Sequence, residues 1–265
     1  MRRHGLVATG LALVLTLGGC GGQKPLRVCA DPNNLPFSNR AGQGFENRLA
    51  ELVARELHRP LQYVWWAQRR GYVRNTLGAG LCDVWPGVAS TLEMMATTRP
   101  YYRSSYVFVT RRRDGLAGLT LDDPRLRQLR LGVQLIGDDG ANTPPADALA
   151  RRGITRNVRG YLVYGDYREP SPPARIVEAV ARGEIDAALV WGPLAGWFAK
   201  TSAVALRVEP VTPWLDAQRW PMAFDVSMGV EKHNEALRRE LDRVLARRSG
   251  EVRRILADHA VPISE

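Results

Sequence analysis

A short apolar segment that ends in turn-forming residues constrains the fold of this chain more than any other feature. Leu26, Val28 and Ala30 alternate as in a buried strand, and the turn-forming residues 31–34 (DPNN) follow at once. After a polar loop, residues 45–57 (FENRLAELVAREL) carry an apolar stripe at helical spacing. A buried strand, a loop and a helix form the first half of a βαβ unit. In open α/β sheets such a loop faces the ligand crevice.

Further strand and helix patterns alternate along the rest of the chain. Strands are predicted at 60–67, 82–88, 105–111, 129–134, 159–164, 185–191, 205–211 and 224–230. Helices are predicted at 72–77, 143–152, 174–182, 193–200 and from 234 onward with a break at Gly250, and 90–93 has the pattern of another helix start. Two chain crossings, at 105–111 and 224–230, predict two α/β lobes around a hinged cleft. Lobe one is predicted to comprise 26–107 and 222–265, and lobe two 108–221.

The first twenty residues have the features of an export signal. Arg2 and Arg3 precede an apolar run at 6–17. That run is too short to span a bilayer, which takes about 20 residues. Cys20 directly follows Leu-Gly-Gly, which resembles a bacterial lipoprotein box. The sequence therefore predicts a signal peptide at 1–20 and a periplasmic protein with a lipid anchor at Cys20 as its expected membrane attachment.

Cys29 and Cys82 are the two cysteines outside the export signal. The compartment beyond the inner membrane is oxidising, so a pair of cysteines in an exported chain is predicted to form a disulfide. The alternative is two buried thiols that act as small hydrophobic side chains.

The chain has a formal net charge of +10, and nearly all of its positive charge comes from arginine. One interpretation is genomic base composition; another is a basic surface that steers an acidic partner at low salt. The arginines are spread along the whole chain and form no tract with interleaved aromatic residues. No nucleic-acid partner is therefore predicted.

Signals of catalysis are weak. The segment 87–90 (GVAS) lacks the second glycine of a nucleophile elbow. The four histidines show no metal-ligand spacing, and the sequence contains no phosphate loop and no dinucleotide fingerprint. The sequence predicts a protein that is not an enzyme and that takes no cofactor and no metal.

Several long blocks, taken in order from residue 26 to the C-terminus, resemble one known family. Asp31, the pair Pro36-Phe37, the helix start at 44–46, Asp83 and Thr91 match landmarks of type 2 periplasmic solute-binding proteins. More specifically, the chain is similar to the branch associated with quinoprotein dehydrogenases, known as the J proteins of methanol oxidation systems. The blocks that carry this resemblance are CADPNNLPFSN, GFENRLAELVAREL, WWAQRRGYVRNTL, CDVWPGV, TTRPYYRSSYVFVTR and AALVWGPLAGWFA.

The resemblance implies both a fold and a role. The fold is the α/β type 2 periplasmic-binding-protein fold, with two doubly wound lobes and a hinged cleft. The role is that of an accessory protein that aids the maturation, activation or assembly of a PQQ-dependent alcohol (methanol-type) dehydrogenase. The implied partner is that dehydrogenase or the cytochrome c that accompanies it.

Three positions depart from the amino-acid-binding members of the superfamily. Met94 stands where those members carry the arginine that holds the ligand carboxylate. Trp191-Gly192 stands in place of the acid that pairs with the α-ammonium group, and Asn34 in place of a stacking aromatic residue. A zwitterion needs paired charges in a partly desolvated cleft. A standard amino acid is therefore not expected as the ligand.

The predicted cleft is aromatic and has few polar groups. Such walls suit a bulky apolar ligand or a peptide segment of a partner. For the tryptophans, packing between strands and helices is the alternative. The loop at 137–140 (GDDG) has the position of an anion nest, but its two acids argue against an anion there. The predicted cleft residues are Asp31, Asn34, Phe37, Trp66, Arg69, Trp85, Tyr101, Tyr102, Arg103, Gln134 and Trp191.

Two other functions remain open from the sequence. The first is the substrate-binding receptor of an ABC uptake transporter for a ligand that is not an amino acid. The second is a sensing or cell-envelope enzyme module related to the same fold.

Overall fold

A computed structural model describes residues 23–136, 142–164 and 166–264. The predicted export signal with Cys20 and the loop at 137–140 lie outside these described residues. The described chain is an α/β protein in which helices cover a mixed sheet, as predicted. No helix in this part of the chain is long and apolar enough to cross a membrane.

The elements agree with the predicted alternation. The strands are β1 (Leu26–Ala30), β2 (Asn33–Asn34), β3 (Ser38–Asn39), β4 (Leu61–Trp65), β5 (Val84–Ala89), β6 (Ala96–Thr97), β7 (Tyr102–Arg111), β8 (Leu131–Leu135), β9 (Val158–Leu162), β10 (Ala187–Trp191), β11 (Leu206–Pro210), β12 (Leu215–Asp216), β13 (Trp220–Pro221) and β14 (Ala223–Val230). The α-helices are α1 (Phe45–Glu56), α2 (Tyr72–Asn75), α3 (Pro144–Arg151), α4 (Arg175–Arg182), α5 (Gly192–Thr201), α6 (Glu235–Arg247) and α7 (Ser249–Asp258). Short 3₁₀ turns lie at Arg112–Asp114, Pro124–Arg127 and Pro172–Ala174.

Strand β7 joins the two halves of the main sheet. The strand order is β4-β1-β5-β14-β7-β10-β8-β9, and β11 also pairs with β7. Residues 102–105 of β7 pair with β14, and residues 106–110 pair with β10. The strands β4, β1 and β5 run parallel to one another, as do β10, β8 and β9. The antiparallel strands β7 and β14 thus lie between two parallel groups, where the sequence predicts the two crossings.

Helices cover both faces of the sheet around β10. Leu189 faces a buried cluster that includes Leu149 of α3, whereas Val190 faces a cluster that includes Ile176 of α4. Successive side chains of a strand point to opposite faces, so a strand buried on both faces reads as a continuous apolar run. On the β1 side, Phe45 of α1 and Leu241 of α6 belong to one buried cluster.

Three details of the predicted helices are wrong. Residues 90–93 do not begin a helix: the Ser90 backbone N–H donates to the Asp225 carbonyl at 3.0 Å, and the Ser90 hydroxyl lies 2.6 Å from that of Ser227. These contacts tie Ser90 to β14. The helix predicted at 72–77 ends at Asn75, and the C-terminal helical break falls at Arg248, with Gly250 inside α7.

The predicted disulfide is confirmed. Cys29 and Cys82 are bonded to each other, with their Cα atoms 5.4 Å apart, and both are buried. The bond ties the end of β1 to the segment that leads into β5. It spans 53 residues of sequence, so it restricts the unfolded chain strongly.

Reduction of this bond should cost the protein about 3 kcal/mol of its free energy of unfolding, since the cross-link removes entropy from the unfolded chain. Urea denaturation with and without dithiothreitol measures the difference. The double variant Cys29→Ser, Cys82→Ser is the control: it should have the stability of the reduced protein and should not respond to dithiothreitol. Equal midpoints for the oxidised and reduced wild type would contradict the expectation.

Candidate functional site

A cavity of about 380 Å³ lies between residues of the two predicted lobes. Its size falls in the usual range for small-ligand sites. Most of its wall is apolar, and neither arginine nor lysine contributes to it within the described residues. The lining residues are Asn34, Phe37, Glu46, Gln68, Gly87, Val88, Ala89, Tyr102, Tyr106, Gln134, Ile136, Thr143, Val163, Tyr164, Trp191, Leu194, Phe224 and Val226.

Three aromatic rings from three strands form one wall of the cavity. The Trp191 ring, at the end of β10, packs against Tyr106 of β7 at 5.3 Å and Phe224 of β14 at 6.1 Å, in both cases at a steep angle. Edge-to-face pairs of this kind are favourable beyond the area that they bury. The Trp191 backbone N–H donates to Oε1 of Gln134 at 2.8 Å, which links the ends of β10 and β8. The aromatic wall is therefore held by the sheet itself.

Asp31 is a buried hydrogen-bond acceptor outside the cavity wall. Its side chain is only 2% exposed. The backbone N–H groups of Asn33 and Gln68 donate to its carboxylate at 2.8 and 2.6 Å, and the Tyr167 hydroxyl donates to it as well. Three donors satisfy this buried charge, as a buried carboxylate requires. Asp31 therefore organises the loops around the cavity and does not line it.

The contact with Tyr167 belongs to a set that joins the two predicted lobes. Nδ2 of Asn33 donates to the Glu169 carbonyl at 2.9 Å, and the Ser171 backbone N–H donates to Oδ1 of Asn33 at 3.3 Å. The Arg69 guanidinium lies 4.9 Å from the centre of the Tyr167 ring. These contacts hold the 166–171 segment of the predicted lobe two against the first loop of lobe one.

Glu46 brings a buried acid to the cavity. It lies in the first turn of α1, lines the cavity and is 7% exposed. Its carboxyl makes no hydrogen bond and no ion pair within the described residues. Burial raises the pKa of Glu46 to about 8, and the nearby charge of Asp31 adds to the shift. Glu46 is therefore largely protonated at neutral pH.

A glycine lies next to the Glu46 carboxyl, and two tyrosine hydroxyls lie in the same cavity. A Cβ atom on Gly87 would collide with Oε1 of Glu46, so a larger residue there would displace the Glu46 carboxyl. Tyr102 and Tyr106 also line the cavity, and no described residue forms a hydrogen bond to either hydroxyl. Burial raises the pKa of both tyrosines, and for Tyr102 the Glu46 charge adds to this. The cavity thus offers one acid and two hydroxyls to a ligand.

The structure brings five of the predicted cleft residues to the cavity wall: Asn34, Phe37, Tyr102, Gln134 and Trp191. The others lie elsewhere. Trp66 is 42% exposed, and Trp85 packs on Tyr72 at 4.8 Å. The Tyr101 hydroxyl donates to the Pro86 carbonyl at 2.8 Å, and Arg103 pairs with Asp225 at 3.0 Å.

Arg69 lines a second cavity, of about 760 Å³, next to β9 and α4. This cavity is polar, and three more arginines line it: Arg159, Arg175 and Arg182. Each of these three pairs with a glutamate. Arg159 and Arg182 share Glu184, and Asp166 is the other acid in the described wall, so the arginines of the second cavity are only partly neutralised.

The position that carries the carboxylate-binding arginine in amino-acid binders is remote from the aromatic cavity. Met94 is 61% exposed and does not contribute to the cavity wall. Trp191, in place of the acid that would meet an α-ammonium group, is part of the wall. No group of three or more His, Cys, Asp or Glu side chains in the described chain could hold a metal ion.

Glu46, Tyr106 and Phe224 are cavity residues that the sequence analysis did not single out. For Glu46 a signal exists in the sequence. It lies three residues before Leu49 and seven before Val53, on the apolar stripe of α1. A charged residue on the buried stripe of a helix is unusual and indicates a polar site. Tyr106 and Phe224 carry no such signal, since aromatic residues are ordinary in strands.

The fold and this cleft define a bacterial extracellular solute-binding protein: residues 26–260 match the model of that class, family 3, and the chain belongs to this family. Its place is therefore the periplasm. The chain is similar to Protein MoxJ of Methylorubrum extorquens (strain AM1), with 34% identity covering 90% of this chain and 81% of that protein. A second relative is Protein MoxJ of Paracoccus denitrificans, with 29% identity covering 95% of this chain and 94% of that protein.

A solved structure agrees with these relatives. The periplasmic binding protein XoxJ from Methylobacterium extorquens AM1 matches with a TM-score of 0.74 and 38% identity, covering 91% of this chain and 99% of that one. Together the matches confirm the predicted resemblance to the J-protein branch and the predicted type 2 periplasmic-binding-protein fold.

Proposed function

We propose that this chain is a non-catalytic accessory protein of a PQQ-dependent alcohol (methanol-type) dehydrogenase, which it helps to mature, activate or assemble. The observation that carries the proposal is the cavity wall: the cleft of a solute-binding protein is present, but Trp191 and its aromatic neighbours stand where an amino-acid binder has an acid, and no described arginine or lysine lines the wall. Such a site suits a bulky, largely apolar group. Asn34, Phe37, Tyr102, Gln134 and Trp191 are the proposed contact residues among those predicted from the sequence.

The relatives support a role in a methanol oxidation system. Their names, MoxJ and XoxJ, belong to the J proteins of methanol oxidation systems, and the resemblance extends over nine-tenths of the chain. By this reasoning the partner is the dehydrogenase or its cytochrome c. Export to the periplasm brings the protein to the same compartment, and lipidation of Cys20 is the proposed means of attachment to the membrane.

Affinity purification of the tagged protein from periplasmic extracts of its own organism tests this function. We expect the dehydrogenase to be enriched at least tenfold over an untagged extract, and deletion of the gene to lower dehydrogenase activity. If Trp191 contributes to the contact, Trp191→Ala should weaken the enrichment. Trp214→Ala is the matched control, because Trp214 is exposed and lies outside the cavity wall.

The outcomes of this purification are distinct. No enrichment of the dehydrogenase, together with unchanged activity in the deletion strain, would exclude the accessory role. Equal enrichment by wild type and Trp191→Ala would retain the role but exclude Trp191 from the contact.

The second candidate is the receptor of an ABC uptake transporter for a ligand that is not an amino acid. The cavity between the two predicted lobes favours it, since that is the architecture of solute capture. A small ligand should then raise the melting temperature by mass action. Neighbouring genes for a permease and an ATPase would support this candidate over the first.

A further inference from the structure

We propose that the aromatic cavity binds a hydrophobic ammonium ion and that the Glu46 carboxylate is its counter-ion. The ligand class is a primary amine on an apolar, preferably aromatic, body with no carboxylate. This inference rests on the proposed function in one respect: both place the bound group in the same cavity. It concerns the purified chain alone and needs no dehydrogenase.

The first argument is that the Glu46 carboxyl makes no hydrogen bond and no ion pair to any residue that the structure describes. A buried polar group is normally hydrogen-bonded, and a buried charge is normally paired. Glu46 is more than nine-tenths buried and faces the cavity, yet its carboxyl has no partner in the part of the chain that the structure describes. The neighbouring acid is different, since three donors already occupy Asp31. Glu46 is therefore the acid that a ligand can satisfy.

The second argument is the sign of the local charge. Glu46 and Asp31 lie close enough to influence each other, and no described arginine or lysine lines the cavity. A ligand carboxylate would add its negative charge next to that of Asp31, whereas an ammonium group would offset the Asp31 charge and favour ionisation of Glu46. The cavity therefore selects a cation over an anion, and it also selects against a zwitterion.

The third argument is the aromatic wall. Tyr102, Tyr106 and Trp191 line the same cavity as Glu46. The faces of such rings attract cations, and the attraction is greater where water is excluded. The hydroxyls of Tyr102 and Tyr106 can also accept hydrogen bonds from an ammonium group. The apolar part of the same ligand would bury its surface against the rings.

Binding of an ammonium ion should release the Glu46 proton, and this release can be measured. Among the described residues, the titratable groups that interact with the Glu46 carboxyl are Asp31, Tyr72, Tyr101 and Tyr102, none of which carries a positive charge. The pKa of Glu46 is raised to about 8 by burial and by Asp31, so the free protein holds a proton there at pH 7. When an ammonium ion binds, Glu46 becomes a carboxylate and its proton passes to the solvent.

The affinity should therefore depend on pH in a defined way. It should rise by up to tenfold per pH unit below pH 8, and then level off. It should fall again only where the amine itself loses its proton, near an alkylammonium pKa of about 10. The affinity for an anionic ligand that binds to protonated Glu46 would instead stay level below pH 8 and fall above it.

Isothermal titration calorimetry with 2-phenylethylammonium tests the inference. The matched ligands are 2-phenylethanol, which is neutral, and 3-phenylpropionate, which is anionic. At pH 8 we expect the ammonium ion to bind at least tenfold more tightly than either. At pH 7 its binding should release close to one proton, measured from the heat in two buffers of different ionisation enthalpy.

The variant Glu46→Gln keeps the shape of the side chain and removes its charge. It should weaken binding of the ammonium ion at pH 8 at least tenfold, remove the proton release, and leave the affinity for 2-phenylethanol within about threefold of wild type. If Glu46→Gln fails to fold, the pH slope and proton release of the wild type decide the matter.

Equal affinity for the amine and the alcohol would overturn the inference, as would tighter binding of the anion or retention of ammonium binding by Glu46→Gln. These results are independent of the dehydrogenase. If no amine binds but the dehydrogenase is still enriched, the ammonium site alone is excluded. If the amine binds, no dehydrogenase is enriched and the deletion strain keeps its dehydrogenase activity, the accessory role is excluded and the ammonium site stands.

Discussion

Replacement of Asp31 by alanine is expected to lower the free energy of unfolding by about 4 kcal/mol and to release the 166–171 segment from lobe one. The Asp31 carboxylate accepts hydrogen bonds from the backbone of Asn33 and Gln68 and from the Tyr167 hydroxyl. A hydrogen bond to a charged group contributes about 1.5–3 kcal/mol, and losses within one network do not simply add. Removal of the shared acceptor also leaves the donors without their partner.

The variant Tyr167→Phe is the matched control for Asp31→Ala. It removes one hydroxyl, so the two backbone donors keep their bonds to Asp31, and we expect a loss of only about 1–2 kcal/mol. Urea denaturation measures both changes. Hydrogen exchange at the Ser171 amide, which donates to Asn33, should become faster in both variants. If Asp31→Ala were no less stable than Tyr167→Phe, the two backbone bonds would contribute nothing.

The main elements of the fold are readable from the sequence because local pattern and long-range pairing agree there. The stripe on α1 and the continuous apolar run of β10 are examples. The segment at 90–93 has a helix-cap pattern as well, but the residues just after it, Ala96–Thr97, form β6 and pair with β14. Pairing with a strand about 130 residues away decides the structure of that segment. Local propensity carries no information about such a distant partner.

Part of the cavity could be predicted because the carboxyl ends of strands determine it. Gln134 and Trp191 lie at the carboxyl ends of neighbouring strands, which face the crevice. The tryptophans of lobe one do not follow this rule. Trp85 points to the opposite side of β5 from Val84 and packs on Tyr72, while Trp66 follows β4, the edge strand of the sheet. Which face a strand residue occupies depends on register and sheet order, and the sequence alone does not specify them.

The Glu46→Gln variant should be more stable than wild type by about 4 kcal/mol at pH 8 and should show little difference at pH 4.5. An unfolded glutamate has its ordinary pKa of 4.5, whereas burial and the charge of Asp31 raise the folded value to about 8. Between these two values the folded protein holds a proton that the unfolded chain has lost. The stability of the wild type therefore falls as the pH rises through this window, by about 1.4 kcal/mol per pH unit. Glutamine does not titrate, so the variant lacks this loss.

Urea denaturation of wild type and variant in parallel, at unit steps from pH 5 to pH 8, measures the difference directly, because contributions from all other groups are common to both proteins. Glu93→Gln is the matched control. Glu93 is exposed, and the substitution removes the same charge from the chain. A stability difference for Glu46→Gln that stays constant across this range would mean that Glu46 is ionised in the folded protein. The buried acid would then already have a positive partner, and the cavity would have no site to offer an ammonium ion.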